Sequence, residues 1–120
     1  MKKITIMLAI LIMGFNDTEP KKKEKIGTAS YYANMFEGRR TATGDIFRQK
    51  GFTAASNFFP LQTMVKVTNL ETCDTIIVRI NDRMHPRMAA IGRVIDMTKA
   101  GADSLKFFKK GLVKVSVVQI

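Results

Sequence analysis

Apolar and polar residues alternate along several stretches of the chain, and this period of two predicts strands. In Met64–Thr68, Val65 and Val67 take one face and Lys66 and Thr68 the other. In Thr75–Asp82, Ile76, Val78 and Ile80 share one parity, while Arg79 and Asn81 share the opposite one. Ile77 breaks that alternation and is expected to be partly buried on both faces. Val113, Val115 and Val117 alternate with Lys114 and Ser116. Gly27–Ala33 alternates small and aromatic residues, and Gly92–Ile95 is a further short strand. The polar turn Asn69–Asp74 joins two of these strands as an antiparallel hairpin. Asn34–Asp45, with two glycines, and Arg87–Ala90 read as loops, and Phe58-Phe59-Pro60 closes the segment before it. Thr98 is placed to cap a helix running to about Phe108, with Ala102, Leu105 and Phe108 on one face. Gly101 weakens that helix by roughly 1 kcal/mol relative to alanine, so packing must hold it. The sum is a mainly β domain of about six short strands and one helix, consistent with a small barrel.

Outside this pattern lies the N-terminus. Met1–Phe15 carries two lysines followed by an apolar run. A basic start before a short apolar core predicts a secretory signal peptide over residues 1–16. The run is shorter than the roughly 20 residues a membrane span needs. No cysteine stands just after it, so a lipid-anchored mature end is not supported. The charged tract that follows, with one proline and no large apolar residue, predicts a disordered basic tether over residues 17–25. The folded domain is expected over residues 26–120.

A length of 120 residues suits one small domain. The formal net charge of +10 favours anionic partners such as nucleic acid, a membrane surface or an acidic wall polymer. Cys73 is the single cysteine, so no intramolecular disulfide can form. A lone histidine, His85, and a lone cysteine cannot build a usual zinc site. No phosphate-cradling glycine loop and no aromatic pattern of a common RNA-binding module is present. Neither a metal nor a cofactor is expected.

The candidate chemistry centres on TIIVRINDRMHP, Thr75 to Pro86. Asp82 continues the parity of Ile76, Val78 and Ile80, so a carboxylate stands where the pattern asks for an aliphatic residue. Burial raises a carboxyl pKa, as a general acid near neutral pH requires. The alternative reading is an ion pair with Arg83 or a capped turn. Asp96, just before the predicted helix, reads as a dipole and capping residue rather than a catalytic one.

The ordered blocks GTASYYANMFEGRRTATGD, FTAAS, FPLQTMVKVTNL, IIVRINDR and GRVIDMTKAGADSL resemble the rare lipoprotein A (RlpA) family over Ile26 to Ile120. The resemblance implies a six-stranded double-psi β-barrel, as in barwin- and expansin-like wall proteins, with one or two short helices. It also implies an exported, monomeric endolytic transglycosylase of the periplasm or cell envelope. Such an enzyme cuts peptidoglycan glycan strands and leaves 1,6-anhydro-muramic ends. It has no nucleic-acid partner and meets the membrane only through an uncleaved N-terminus. By resemblance the catalytic acid/base is Asp82 in the INDR motif. The family's second carboxylate, usually glutamate, is Asp45 here, one methylene shorter. The family's TAAH histidine is replaced by Ser56, which cannot titrate near neutrality. The common DRGP is Asp82-Arg83-Met84-His85-Pro86. Arg83, Ser56, Tyr32, Arg40, Thr41 and His85 are the expected substrate-binding residues. Arg83 suits a carboxylate by its forked donors, and Tyr32 either stacks on a sugar or packs in the core. A wall-binding module of the same fold that no longer cuts is the second reading.

Overall fold

The structure, a computed structural model, describes residues 22–120. The expected signal peptide and most of the expected tether lie outside the described residues. Six strands run in chain order: β1 (Glu24–Tyr31), β2 (Thr53–Ala55), β3 (Met64–Asn69), β4 (Thr75–Asp82), β5 (Arg93–Met97) and β6 (Val113–Gln119). Two helices, α1 (Pro86–Ala90) and α2 (Lys99–Ser104), flank β5, and a 3-10 turn spans Asn34–Phe36. The strands close into one barrel in the spatial order β1-β5-β2-β4-β3-β6. The pairs β1/β5 and β2/β4 are parallel, and the remaining neighbours are antiparallel. Closure leaves no free sheet edge, which removes the hazard of exposed strand pairing. This is the mainly β, six-stranded barrel that the residue pattern and the resemblance predict; of its two short helices, the residue pattern predicts only α2.

The inward parity of the strands fills the interior. Val65 and Val67 on β3, Val78 and Ile80 on β4, and Val113, Val115 and Val117 on β6 are all buried. The β3–β4 hairpin forms as expected, with Val65 opposite Val78 and Val67 opposite Ile76. Gly27 lets β1 approach β5. A Cβ there would lie 2.3 Å from Val94 Cγ1 and 2.9 Å from the Gly92 carbonyl oxygen, closer than side chains tolerate.

Several expectations are corrected. β1 begins at Glu24, two residues before the expected domain start, because Glu24 and Lys25 pair with Val118 and Val117 of β6. Arg87–Ala90 is helical rather than loop, because Pro86 pre-sets the first turn and the His85 ring nitrogen caps it. Ile77 keeps strict alternation and is 52% exposed. Asn81, expected to face outward, is 2% exposed. The register explains it: β2 pairs Ala54 with Ile80 and then Ala55 with Asp82, so Asn81 is an extra residue on β4. Such a bulge ends the simple alternation and re-aims the next side chain. Thr98 caps α2 as expected, its Oγ1 accepting from the Gly101 amide at 3.0 Å. The helix stops at Ser104 rather than near Phe108, because Lys106 adopts φ 64 and turns the chain. That turn buries Phe107 and leaves Phe108 exposed.

Candidate active site

Asp82 is the last residue of β4 and is half-buried. Three donors converge on its carboxyl group. The Tyr32 hydroxyl donates to Oδ2 at 2.6 Å, and the amides of Ala42 and Arg83 each donate to Oδ1 at 2.9 Å. Tyr32 follows β1 and is itself buried, its ring stacked on Phe47 with 4.1 Å between centroids. Tyr32, Phe47, Ala55 and Met84 form a second small apolar cluster beside the barrel core. Asp82 therefore does not replace an aliphatic residue inside the barrel. The bulge at Asn81 turns it toward this second cluster.

In front of Asp82 opens a cleft of about 450 Å³. That is within the range of small-ligand sites. Its walls include Ser30, Tyr32, Phe36, Asp82, Arg83, His85, Met88, Arg93 and Asp96. Asp96 is the residue the sequence reading set aside. It does not cap α2; Thr98 does. It sits on β5 opposite Ser30 of β1 and Ala55 of β2, and Ala55 is also opposite Asp82. Ser30 Oγ donates to Asp96 Oδ1 at 3.1 Å. Burial pushes the Asp96 carboxyl up to about 6, against the pull of Ser30 and Arg93, and the Asp82 charge adds to the rise. Its signal in the sequence was a carboxylate inside the apolar run Val94-Ile95-Asp96-Met97, the same kind of signal that singled out Asp82.

The remaining expected residues divide between cleft and scaffold. Asp45 does not line the cleft. Its Oδ2 lies 2.9 Å from Arg79 Nη1 and accepts from Asn81 Nδ2 at 3.3 Å. The Arg79 guanidinium holds the Asp45 carboxyl below its usual range, aided by Asn81 and Thr43. Through these contacts Asp45 ties to β4 the loop that presents the Ala42 amide. Ser56 is fully buried and faces no cleft: its Oγ donates to the Val94 carbonyl at 2.8 Å and accepts from the Phe58 amide. Arg83 lines the cleft, but its guanidinium donates to the carbonyls of Ser56 and Phe59 at 2.6 and 2.5 Å. It is the Arg83 backbone amide that reaches Asp82. Arg40 Nη1 donates to the Gly44 carbonyl within its own loop, and buried Thr41 pairs its hydroxyl with that of Thr43. Neither lines the cleft. His85 does line it, and its Nδ1 accepts from the Arg87 amide at 3.1 Å, which directs Nε2 away from the cap.

Sequence reasoning also missed Asn57. Its Nδ2 donates to the Met84 carbonyl and its Oδ1 accepts from the Met84 amide, both at 2.9 Å. This two-point clamp fixes the segment after Asp82.

The closed six-stranded barrel, with two parallel and four antiparallel pairings, has the double-psi β-barrel fold. Solved structures share it. Streptomyces papain inhibitor superposes with a TM-score of 0.64 at 20% identity, over 82% of this chain and 94% of that one. A Clavibacter michiganensis expansin, crystallised with cellohexaose, superposes with a TM-score of 0.60 at 16% identity, over 82% and 50%. A family profile described as "Lytic transglycolase" matches residues 24–117, and the chain belongs to that family. Among relatives, the probable endolytic peptidoglycan transglycosylase RlpA of Treponema pallidum is 45% identical over 91 residues, 76% of this chain and 28% of that protein. The endolytic peptidoglycan transglycosylase RlpA of Haemophilus influenzae is 39% identical over 99 residues, 82% and 33%. The chain spans about a third of the length of these relatives or less.

Proposed function

We propose that the barrel cleaves the glycan strands of peptidoglycan as an endolytic transglycosylase, with Asp82 as the carboxylate on which the reaction turns. The carrying observation is the Asp82 carboxyl group, gripped by Tyr32, Ala42 and Arg83 at the wall of an open cleft. A carboxylate held by several donors has a fixed direction, and catalysis depends on such placement. In this reaction the C6 hydroxyl of N-acetylmuramic acid displaces the next sugar from C1, so no water attacks and a 1,6-anhydro end remains. The proton bookkeeping needs carboxyl chemistry at the glycosidic bond, as in other glycan-cleaving enzymes. The family and its named relatives support this substrate class. A protein acting on such a polymer works outside the cytoplasm, in the cell envelope.

Asp45, Thr41 and Arg40 serve this reading as parts of the loop that carries Ala42. Digestion of purified sacculi, with products separated and weighed by mass spectrometry, tests it. Wild type should release anhydro-ended fragments, and Asp82→Asn should lower that release by about 10²–10⁴-fold. Retention of the protein on insoluble sacculi without any anhydro product from wild type would leave a binding module instead of an enzyme.

A further inference from the structure

We infer that Asp96 is the proton donor of this cleft, delivering its carboxyl proton to the glycosidic oxygen while Asp82, as carboxylate, receives the proton of the C6 hydroxyl. The inference rests on the transglycosylase reading above and divides between two residues the work assigned to one.

Geometry places the pair. Ala55 of β2 is opposite Asp82 of β4 on one side and Asp96 of β5 on the other. Two strand spacings therefore separate the backbones of the carboxylates, about 10 Å. The residue between them, Ala55, is buried and carries only a methyl group. Both carboxylates line the same cleft.

Hydrogen bonding assigns the roles. A carboxylate offers about four acceptor sites. Three donors already occupy Asp82, two on Oδ1 and one on Oδ2, which leaves it fitted to accept and poorly fitted to donate. Asp96 receives one hydroxyl, from Ser30 on Oδ1, and its Oδ2 has no partner among the described residues. That oxygen is free to carry a proton into the cleft. The charged and titratable groups around it are Arg93 on its own strand, Tyr31 on β1 and Tyr32 after it, Asp82 on β4, and Arg83 and His85 in the segment after β4. None of them hydrogen-bonds the Asp96 carboxyl. With that carboxyl pushed up to about 6 by burial, a usable fraction is protonated near neutral pH.

The step balances. The Asp96 proton goes to the glycosidic oxygen, the C1–O bond breaks, and the departing sugar leaves with a free hydroxyl. The C6 oxygen bonds to C1, and its proton passes to Asp82. Asp96 ends as carboxylate and Asp82 as acid. Exchange with water in the emptied cleft restores both.

The test uses two substrates. One is purified sacculi, whose leaving sugar needs a proton. The other is a nitrophenyl glycoside of N-acetylmuramic acid, whose leaving group does not. Asp96→Asn should cut anhydro-product release from sacculi by about 10²–10⁴-fold. It should stay within about tenfold of wild type on the nitrophenyl glycoside, where Asp82→Asn does not recover. Wild-type activity on sacculi should fall as pH rises through about 6, and Asp96→Glu should keep both activity and that alkaline limb. Sacculus cleavage by a folded Asp96→Asn at the wild-type rate, or equal losses on both substrates, would overturn the assignment and leave the transglycosylase reading standing. A wild type that releases no anhydro ends would overturn both.

Discussion

The Tyr32 hydroxyl donates to Asp82 Oδ2 at 2.6 Å across 50 positions of sequence. This contact ties the end of β1 to the end of β4. Burial and the Asp82 carboxylate raise the Tyr32 phenol far above its usual range, so it remains a donor at every working pH. Its ring is fixed independently, by the stack on Phe47 and an edge contact with Phe36 at 5.6 Å. Tyr32→Phe should therefore keep the packing and lose the hydrogen bond alone. We expect a stability loss of about 1.5–3 kcal/mol, the usual scale for a bond to a charged group. We expect a larger effect on catalysis, about tenfold or more in anhydro-product release, because the carboxylate loses one of its three directing contacts. Thermal melts and sacculus digestion measure the two. Cleavage at the wild-type rate would show that Tyr32 packs beside Asp82 without directing it.

Asn57 holds the chain on the other side of Asp82. Asn57→Ala would strip both the amide and the carbonyl of Met84 of their partner. Leaving such groups unpaired costs about 1–3 kcal/mol, less where water reaches them. The Arg83 amide on Asp82 and the His85 cap on α1 both depend on this segment. Catalysis should fall while the barrel stays folded, and faster hydrogen exchange confined to residues 83–88 would locate the loosening. Exchange unchanged there would mean that Arg83, through Ser56 and Phe59, suffices to hold the segment.

Much of this arrangement was legible in the chain. The valines of β3 and β6 and the hairpin of β3 and β4 follow from period-two alternation, because one strand face meets only the core. Asp82 was found by a charge standing in an apolar row. The misread facing of Asn81 and Asp82 comes from strand register. Alternation assumes an uninterrupted strand, and β4 and β5 each carry an irregularity just before the carboxylate that matters, at Asn81 and Val94. A register slip is set by the neighbouring strand, so no local pattern announces it. Asp96 was passed over because its place before α2 suggested capping, and only the third dimension sets it two strands from Asp82. Asp45 and Ser56 were assigned by likeness to family positions. The contacts of this chain give them to Arg79 and to the Val94 carbonyl.

Asp45→Asn tests that reassignment. If Asp45 anchors a loop, the variant should retain sacculus cleavage within about tenfold, unlike Asp82→Asn. Its effect on stability has a definite pH sign. Arg79, Asn81 and Thr43 lower the Asp45 carboxyl from its ordinary 3.8. Such a group adds stability above the unfolded value and loses it as pH falls through the folded one. Wild type and variant should therefore converge in acid, below the ordinary aspartate range, and differ at neutral pH. A loss of cleavage equal to that of Asp82→Asn would return Asp45 to the reaction itself.

Asp96 predicts the opposite pH behaviour. Its carboxyl is raised from 3.8 to about 6 in the folded chain, chiefly by burial. The folded state thus holds this proton more tightly than the unfolded state does. The stability it confers is complete below about 4, declines as pH rises toward about 6, and is gone above that. Each pKa unit corresponds to about 1.4 kcal/mol, so the wild type should lose on the order of 2–3 kcal/mol from this group between about pH 4 and 7. Asp96→Asn keeps the shape, cannot ionise and can still accept from Ser30. It should match wild type near pH 4 and exceed its stability at pH 7, with the gap opening between those values. Urea midpoints measured at several pH values show this directly. The Asp45 contribution changes at lower pH and in the other direction, so the double variant Asp45→Asn, Asp96→Asn separates the two. A variant less stable than wild type at pH 7 would mean that the ionised Asp96 carboxylate is favourably paired in the fold. The proton it is proposed to deliver would then be absent at working pH.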